Sequence, residues 1–281
     1  MEKIKVKCPA KINLTLEVLN RRDDGYHNIK SVMQTISLYD YLTIEIKHAK
    51  ENKINLSGTS SEIPYNEKNL VYKAAVLYLE NAELKDLELN INIEKNIPIS
   101  AGLAGGSTDG AGVLWGLNHI FGKLNFDEIN TLCAKLGSDL NVCLKGGCML
   151  ATSRGEITEE LPFRKYPVTL IKPKNLGISA KEAYSKYSLK EIKSSKNHTD
   201  MLIKSINCGD DIRTYLYNDL EKAVFDDYKE LQEIKRVYPN AIMSGSGSTY
   251  FLLDNIEFSG MPEDYIFINN LEFTSDGAGL A

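Results

Sequence analysis

Pro98-Ile99-Ser100-Ala101-Gly102-Leu103-Ala104-Gly105-Gly106-Ser107-Thr108-Asp109-Gly110-Ala111-Gly112 joins an alternating apolar segment (Leu87, Leu89, Ile91, Ile93) to an apolar pattern of helical period (Val113, Leu114, Leu117, Ile120, Phe121). A strand that turns through glycines into a helix gathers several backbone N–H groups at one point, and the positive end of the helix dipole adds to them. Glycine also brings the backbone up to a ligand with no Cβ in between. Such an element favours a phosphate. It is neither of two familiar nucleotide loops. A G-x-x-x-x-G-K-[ST] loop needs a Lys beside Gly105 or Gly106, and in G-x-G-x-x-G the third glycine after Gly110 and Gly112 is replaced by Trp115. A plain surface loop is the bland alternative. Ser107-Thr108-Asp109 weighs against it, because hydroxyls at a helix start cap its N–H groups or reach a phosphate and its Mg²⁺.

The remaining composition narrows the classes. A chain of 281 residues, 43% hydrophobic and 25% charged, is long enough for one large globular domain or two modest ones. Its net charge of −5, with no basic block, argues against a sequence-independent hold on nucleic acid. No apolar run approaches the roughly 20 residues that span a membrane, and the start Met-Glu-Lys-Ile-Lys-Val-Lys lacks a signal-peptide core, so a cytoplasmic location with no membrane partner is expected. The five cysteines form no C-x-x-C pair and the four histidines have no zinc-ligand spacing, so reduced thiols and no protein-ligated metal are expected.

Strand alternation runs through Ile4, Val6 and Cys8, then Ile12, Leu14, Leu16 and Val18, then Leu42, Ile44 and Ile46. Pro9-Ala10-Lys11 interrupts the first run and suggests a bend or a change of strand. Helices are expected over about 68–82 and 127–136, the latter ending at Gly137, with a strand at Val168–Ile171, two polar helices beyond it, and a long helix over about 219–237. A strand, a glycine turn and a second strand fit 241–253, and 265–273 closes the chain as a strand. Strands and helices mix without regular alternation, which points to an α+β fold in two units, 1–155 and 156–281.

Two further segments stand out beside the glycine loop: Pro9-Ala10-Lys11-Ile12-Asn13-Leu14 and Met243-Ser244-Gly245-Ser246-Gly247-Ser248-Thr249. In this order, across nearly the whole chain, the three resemble the motifs of the GHMP kinase superfamily (galactokinase, homoserine kinase, mevalonate kinase and relatives). Arg21-Arg22-Asp23-Asp24-Gly25-Tyr26-His27 and Gly137-Ser138-Asp139-Leu140 resemble the branch that acts on a cytidine-diphosphate alcohol. The resemblance implies an N-terminal domain like the second domain of ribosomal protein S5 and a ferredoxin-like C-terminal domain, with a cleft between them. It implies transfer of the γ-phosphate of ATP, with Mg²⁺, to the 2-hydroxyl of 4-(cytidine 5′-diphospho)-2-C-methyl-D-erythritol, a step of the non-mevalonate route to isoprenoid precursors. The oligomeric state stays open.

Under that resemblance Asp139 is the base that takes the hydroxyl proton, although turn aspartates after Gly-Ser are common and the residues alone favour a cap. Lys11 would hold Asp139 ionised and stabilise the transferring phosphoryl group. Asn13 follows two residues later on the same strand face, and the resemblance makes it a substrate hydrogen-bonder. Tyr26 and His27 look like the cytidine contacts, and Tyr184 resembles the aromatic residue that stacks on the cytosine. Pro98 to Asp109 form the ATP-binding run, of which Ala101 to Ser107 supply the phosphate cradle, and Asn69 and Lys95 resemble adenosine-side contacts. Gly245 and Ser246 belong to a second glycine turn facing the substrate or the catalytic loop; a plain β-turn fits the same residues.

Departures from the pattern are specific. Ala104 stands where a Gly is common, tolerable if its φ is negative, and Gly110 replaces an Ala, weakening the helix start by about 1 kcal/mol. Asn141 and Ser248 replace Pro, and Ala180 replaces Thr. The rivals are another GHMP kinase, of homoserine or mevalonate type, and a non-catalytic relative. Intact Lys11, Ser107 and Asp139 argue against the second.

Overall fold

The computed structural model describes residues 2–192, 194, 197–257 and 260–281. Two long strands organise it: β1 (Glu2–Arg21) and β2 (His27–His48) pair antiparallel along nearly their whole length. On the other side of β2, its later half pairs with β4 (Leu87–Glu94) and its earlier half with β5 (Cys148–Ser153). β3 (Lys53–Gly58) lies parallel on β4, and β6 (Ile157–Leu161) on β5. Later parts of the chain return to this sheet, as β8 (Tyr217–Asn218) and β12 (Gly279–Leu280) both pair with β1. A second, antiparallel sheet has the order β11-β7-β10-β9, formed by β7 (Pro167–Pro173), β9 (Ile242–Met243), β10 (Tyr250–Leu252) and β11 (Tyr265–Glu272).

Helices α1 (Leu70–Asn81), α2 (Gly105–Phe121), α3 (Phe126–Leu136) and α4 (Leu140–Lys145) cover one face of the first sheet, around a core of Val6, Leu42, Ile44, Leu89, Ile91 and Leu114. Their ends carry the expected signals. Asn69 caps α1 through the Val71 N–H, and Asn125 with Glu128 forms a capping box on α3, which Gly137 ends. α2 sits close on β1, since a Cβ on Gly112 would lie 2.3 Å from Cys8 Sγ. Helices α5 (Ala180–Leu189), α6 (His198–Cys208), α7 (Asp219–Val224) and α8 (Lys229–Val237) belong to the second half. No described helix is long and apolar enough to cross a membrane.

Three sequence expectations change. The segment Pro9–Lys11 brings no change of strand: β1 is continuous, and the irregularity there is a register shift between Pro9 and Ala10. That irregularity changes the phase of the alternation. Cys8 lies under α2, whereas Ala10 and Ile12 pack with Val168, Leu170 and Phe251 of the second sheet, so Lys11 turns to the helix side. The helix expected over 219–237 is two helices separated by a 3-10 turn at Phe225–Asp227, and Tyr228, at φ −131°, starts the second. Ala104 has φ +59°, in the left-handed region, so the negative φ on which its tolerance rested is not present. Gly110 is crowded as well as flexible: a Cβ there would be 3.2 Å from Leu70 and 3.3 Å from Leu140.

Candidate active site

A cleft of about 1210 Å³ runs from the glycine loop at one end to the start of β2 and α5 at the other. Of the residues singled out from the sequence, all except Leu103 and Thr108 line it; those two are turned into the interior. The register shift in β1 accounts for the centre of the cleft. Lys11 and Asn13, both buried, project from one strand face, and Lys11 Nζ donates to Asn13 Oδ1 at 2.7 Å. Asn13 in turn donates to Ser31 Oγ at 2.9 Å, and Ser31 to the Thr15 carbonyl. With Asn13 fixed from below, Lys11 Nζ reaches Asp139 Oδ2 at 3.4 Å. Asp139 occupies the N-cap position of α4, yet its side chain makes no capping hydrogen bond and remains 31% exposed to the cleft. The carboxylate is left facing the lysine and the cavity.

The glycine loop is clamped to its surroundings through its carbonyls. Lys11 N–H donates to Leu103 O (3.1 Å), Ser244 Oγ to Gly102 O (3.0 Å) and Thr249 N–H to Ala101 O (3.3 Å). The three resembling segments therefore meet in one hydrogen-bonded unit. Gly102, at φ +73°, is the tightest point, because a Cβ there would stand 2.0 Å from the Ser244 carbonyl oxygen. At Gly106 a Cβ would meet nothing within 4 Å, so the absent side chain leaves open space over the first turn of α2. The first N–H groups of a helix have no partner within it, which suits this turn to an anion.

Beneath the loop lies a buried ionic cluster that the sequence reading missed in part. Lys95 Nζ binds Asp109 Oδ2 at 2.8 Å and also Asp40. Asp40, on β2, further accepts the N–H groups of Asn96 (2.6 Å) and Ile97 (2.8 Å). Burial raises the Asp109 carboxyl far above the usual carboxylate range, and the charge of Asp40 adds to it against the pull of Lys95. Burial disfavours the Lys95 ammonium, but the two carboxylates outweigh it and raise that group. Asp109 Oδ1 and Thr108 Oγ1 are buried without a hydrogen-bond partner. The expected adenosine contact, Lys95, is thus first a strut between β4, β2 and α2. Asp40 was illegible because it is an ordinary strand residue 55 positions from Lys95.

At the far end the His27 ring stacks on Tyr184 with centroids 5.3 Å apart, and lies edge-on to Tyr187 at 6.2 Å. Its Nε2 is 3.0 Å from Ser188 Oγ. Burial, then the Arg21 charge, holds the imidazole below its ordinary value, so it is neutral at pH 7 and offers one donor and one acceptor. Tyr26 is 58% exposed, with the Arg154 guanidinium over its ring at 5.3 Å. Arg154 and Ser188 line this end and were not singled out from the sequence, since neither lies in a motif-like run; Ser138, within the Gly137–Leu140 segment, lines it too. Asn69 caps α1 at the glycine-loop end of the cleft, and Ser246 Oγ donates to the Ile178 carbonyl at 3.2 Å. Among the described residues no group of three or more His, Cys, Asp or Glu side chains could hold a metal ion.

Residues 69–151 match the family described as the GHMP kinases N terminal domain. A 4-diphosphocytidyl-2-C-methyl-D-erythritol kinase of Caldicellulosiruptor saccharolyticus is 40% identical over 255 residues, covering 88% of this chain and 86% of the relative. One of Clostridium tetani is 40% identical over 259 residues, covering 88% and 90%. A crystal structure of 4-(cytidine 5′-diphospho)-2C-methyl-D-erythritol kinase superposes with TM-score 0.72 at 31% identity, covering 88% of this chain and 89% of that one. A homoserine kinase from Cytophaga hutchinsonii superposes with TM-score 0.70 at 18% identity, covering 89% and 84%, a likeness of fold alone.

Proposed function

Since the chain belongs to the 4-diphosphocytidyl-2-C-methyl-D-erythritol kinase family of the GHMP kinases, we propose that its cleft holds ATP at the glycine loop and the cytidyl substrate at the His27 end, with Asp139 and Lys11 between them. The chain is a kinase with ATP as co-substrate. It phosphorylates the 2-hydroxyl of 4-(cytidine 5′-diphospho)-2-C-methyl-D-erythritol, in the non-mevalonate route to isoprenoid precursors.

The observation that carries the site assignment is the Lys11–Asp139 pair, midway along one cleft whose two ends differ in chemistry. The 2-hydroxyl attacks the γ-phosphorus as the bond to the β-phosphate oxygen breaks, leaving ADP. Asp139 accepts the hydroxyl proton, and Lys11 stabilises charge on the transferring group. Asn13 orients Lys11 and offers a hydrogen bond to the substrate. The open space over Gly106 and the N–H groups of the first α2 turn receive the phosphates, with Asn69 and Pro98–Ser100 at the adenosine side. The neutral His27 hydrogen-bonds the pyrimidine edge, and Tyr26 and Tyr184 supply flat apolar walls. Gly245 and Ser246 face the substrate from the second turn.

Mg²⁺ fits this donor set as a companion of ATP. With no metal-holding group of three or more such side chains among the described residues, the phosphates would carry most of its ligands and the Ser107 hydroxyl would complete them. Bound there, it neutralises charge on the transferring phosphoryl group. The reading keeps the cytoplasmic location expected for an enzyme of two charged nucleotides. The deciding experiment is phosphate transfer from ATP to the cytidyl substrate, homoserine and mevalonate in parallel. Preference for either of the last two overturns the assignment.

A further inference from the structure

Of the cations lining the cleft, the two buried lysines are already engaged. Lys11 binds Asn13 and Asp139, and Lys95 binds Asp40 and Asp109. Arg154 differs. Its Nε lies 3.4 Å from Glu156 Oε1, and among the described residues its terminal nitrogens, Nη1 and Nη2, donate no hydrogen bond. Its backbone is held in place: Arg154 N–H donates to Glu156 Oε2 at 2.8 Å, and Ser153 Oγ to Glu156 Oε1 at 3.0 Å. Arg22 Nη1 braces Ser153 Oγ at 3.1 Å.

Its location is more telling than its charge. The turn after β5 packs on the residue preceding Asp139, since a Cβ on Gly155 would lie 3.3 Å from Ser138 Cβ. On its other side the guanidinium covers Tyr26, next to His27. Arg154 thus sits over Tyr26 at the His27 end of the cleft, in a turn that packs against the residue before Asp139. In the substrate the diphosphate occupies the same place in covalent order, between the cytidine and the polyol that carries the reacting hydroxyl.

From this placement we propose that Arg154 grips the diphosphate of the substrate, and that it is the residue by which the site distinguishes a pyrimidine nucleoside diphosphate from the bare nucleoside. The proposal rests on the reading of His27 and Tyr184 as the pyrimidine end. A planar guanidinium with two free terminal nitrogens matches phosphate oxygens bidentately, which an ammonium cannot do. The exposed Arg21, Lys68 and Lys181 also line the cleft but lack this fixed position between the two ends.

The test measures binding of CDP and of cytidine by calorimetry, with the nucleotide end filled by a non-hydrolysable ATP analogue, for wild type, Arg154→Ala and Arg154→Lys. Wild type is expected to prefer CDP. Arg154→Ala should cut that preference about tenfold or more while cytidine binds as before, and Arg154→Lys should recover part of it. A preference unchanged in Arg154→Ala overturns the proposal. An equal loss for CDP and cytidine also overturns it, and makes Arg154 a prop for the Tyr26 ring. Wild-type protein that binds neither compound overturns the pyrimidine reading, and this inference with it.

Discussion

Lys11 Nζ stands 3.4 Å from Asp139 Oδ2, although the two residues come from a central strand and the N-cap of a short helix, 128 positions apart in the chain. The lysine is 4% exposed at its side chain and the aspartate 31%. The ammonium is therefore fixed inside, and the carboxylate faces the cleft. Removing the carboxylate's basicity in Asp139→Asn should lower kcat by about 10²–10⁴-fold and leave the KM for ATP within a few-fold of wild type. Steady-state kinetics with varied ATP check this, and an undiminished kcat removes Asp139 from the reaction.

Gly102 and Gly106 make opposite predictions from one loop. Gly102→Ala forces a Cβ to within 2.0 Å of the Ser244 carbonyl at a positive φ, so the folded protein should lose about 2 kcal/mol or more in denaturant unfolding. Gly106→Ala meets only open space, so stability should hold while the KM for ATP rises about tenfold or more.

Ala104 sits at φ +59°, a region that costs an L-residue about 1–2 kcal/mol and glycine almost nothing. After the larger chain entropy that glycine loses on folding, Ala104→Gly should stabilise the protein by about 0.5 kcal/mol. A raised urea midpoint at constant slope is the expected reading.

Asp109 is packed against Lys95, Asp40 and Cys8, and burial lifts its carboxyl to about 7. Its folded value lies above the unfolded one, near 4, so the native state binds the extra proton between these limits. The associated stability is complete below about pH 4 and is lost as pH rises to about 7, by at most about 1.4 kcal/mol per pH unit. Asp109→Asn should flatten this slope relative to wild type in urea unfolding at pH 5, 6, 7 and 8. Parallel profiles would deny Asp109 the role.

Tyr184 stacks on His27 with ring centroids 5.3 Å apart. Tyr184→Ala should raise the KM for the cytidyl substrate about 10–100-fold, in line with about 1–3 kcal/mol for a base on an aromatic face, while Tyr184→Phe stays near wild type. The KM for ATP is the internal control and should not move.

The parts of this protein that could be read without coordinates share a local cause. The glycine loop, the helix stop at Gly137 and the period-two strands each depend on neighbours within a few residues, so their residue types announce them. Lys11, Asn13, His27 and Asp139 were legible through their resemblance to known motifs rather than through periodicity. Asp40 and Arg154 were not legible, because one is a strand carboxylate and the other a turn arginine until the fold brings Lys95 or Tyr26 against them.

The amino-acid sequence by itself determined an α+β chain with a phosphate loop, a small-molecule kinase family and most of the cleft's lining. Tertiary structure alone decided which way those residues face. A register shift between Pro9 and Ala10 turns Lys11 toward α4, and the left-handed turn at Gly102 seats the loop on Ser244. Propensities act over one or two turns of chain. The distance from Lys11 to Asp139 is set by how two sheets and their helices pack, and no local pattern encodes it.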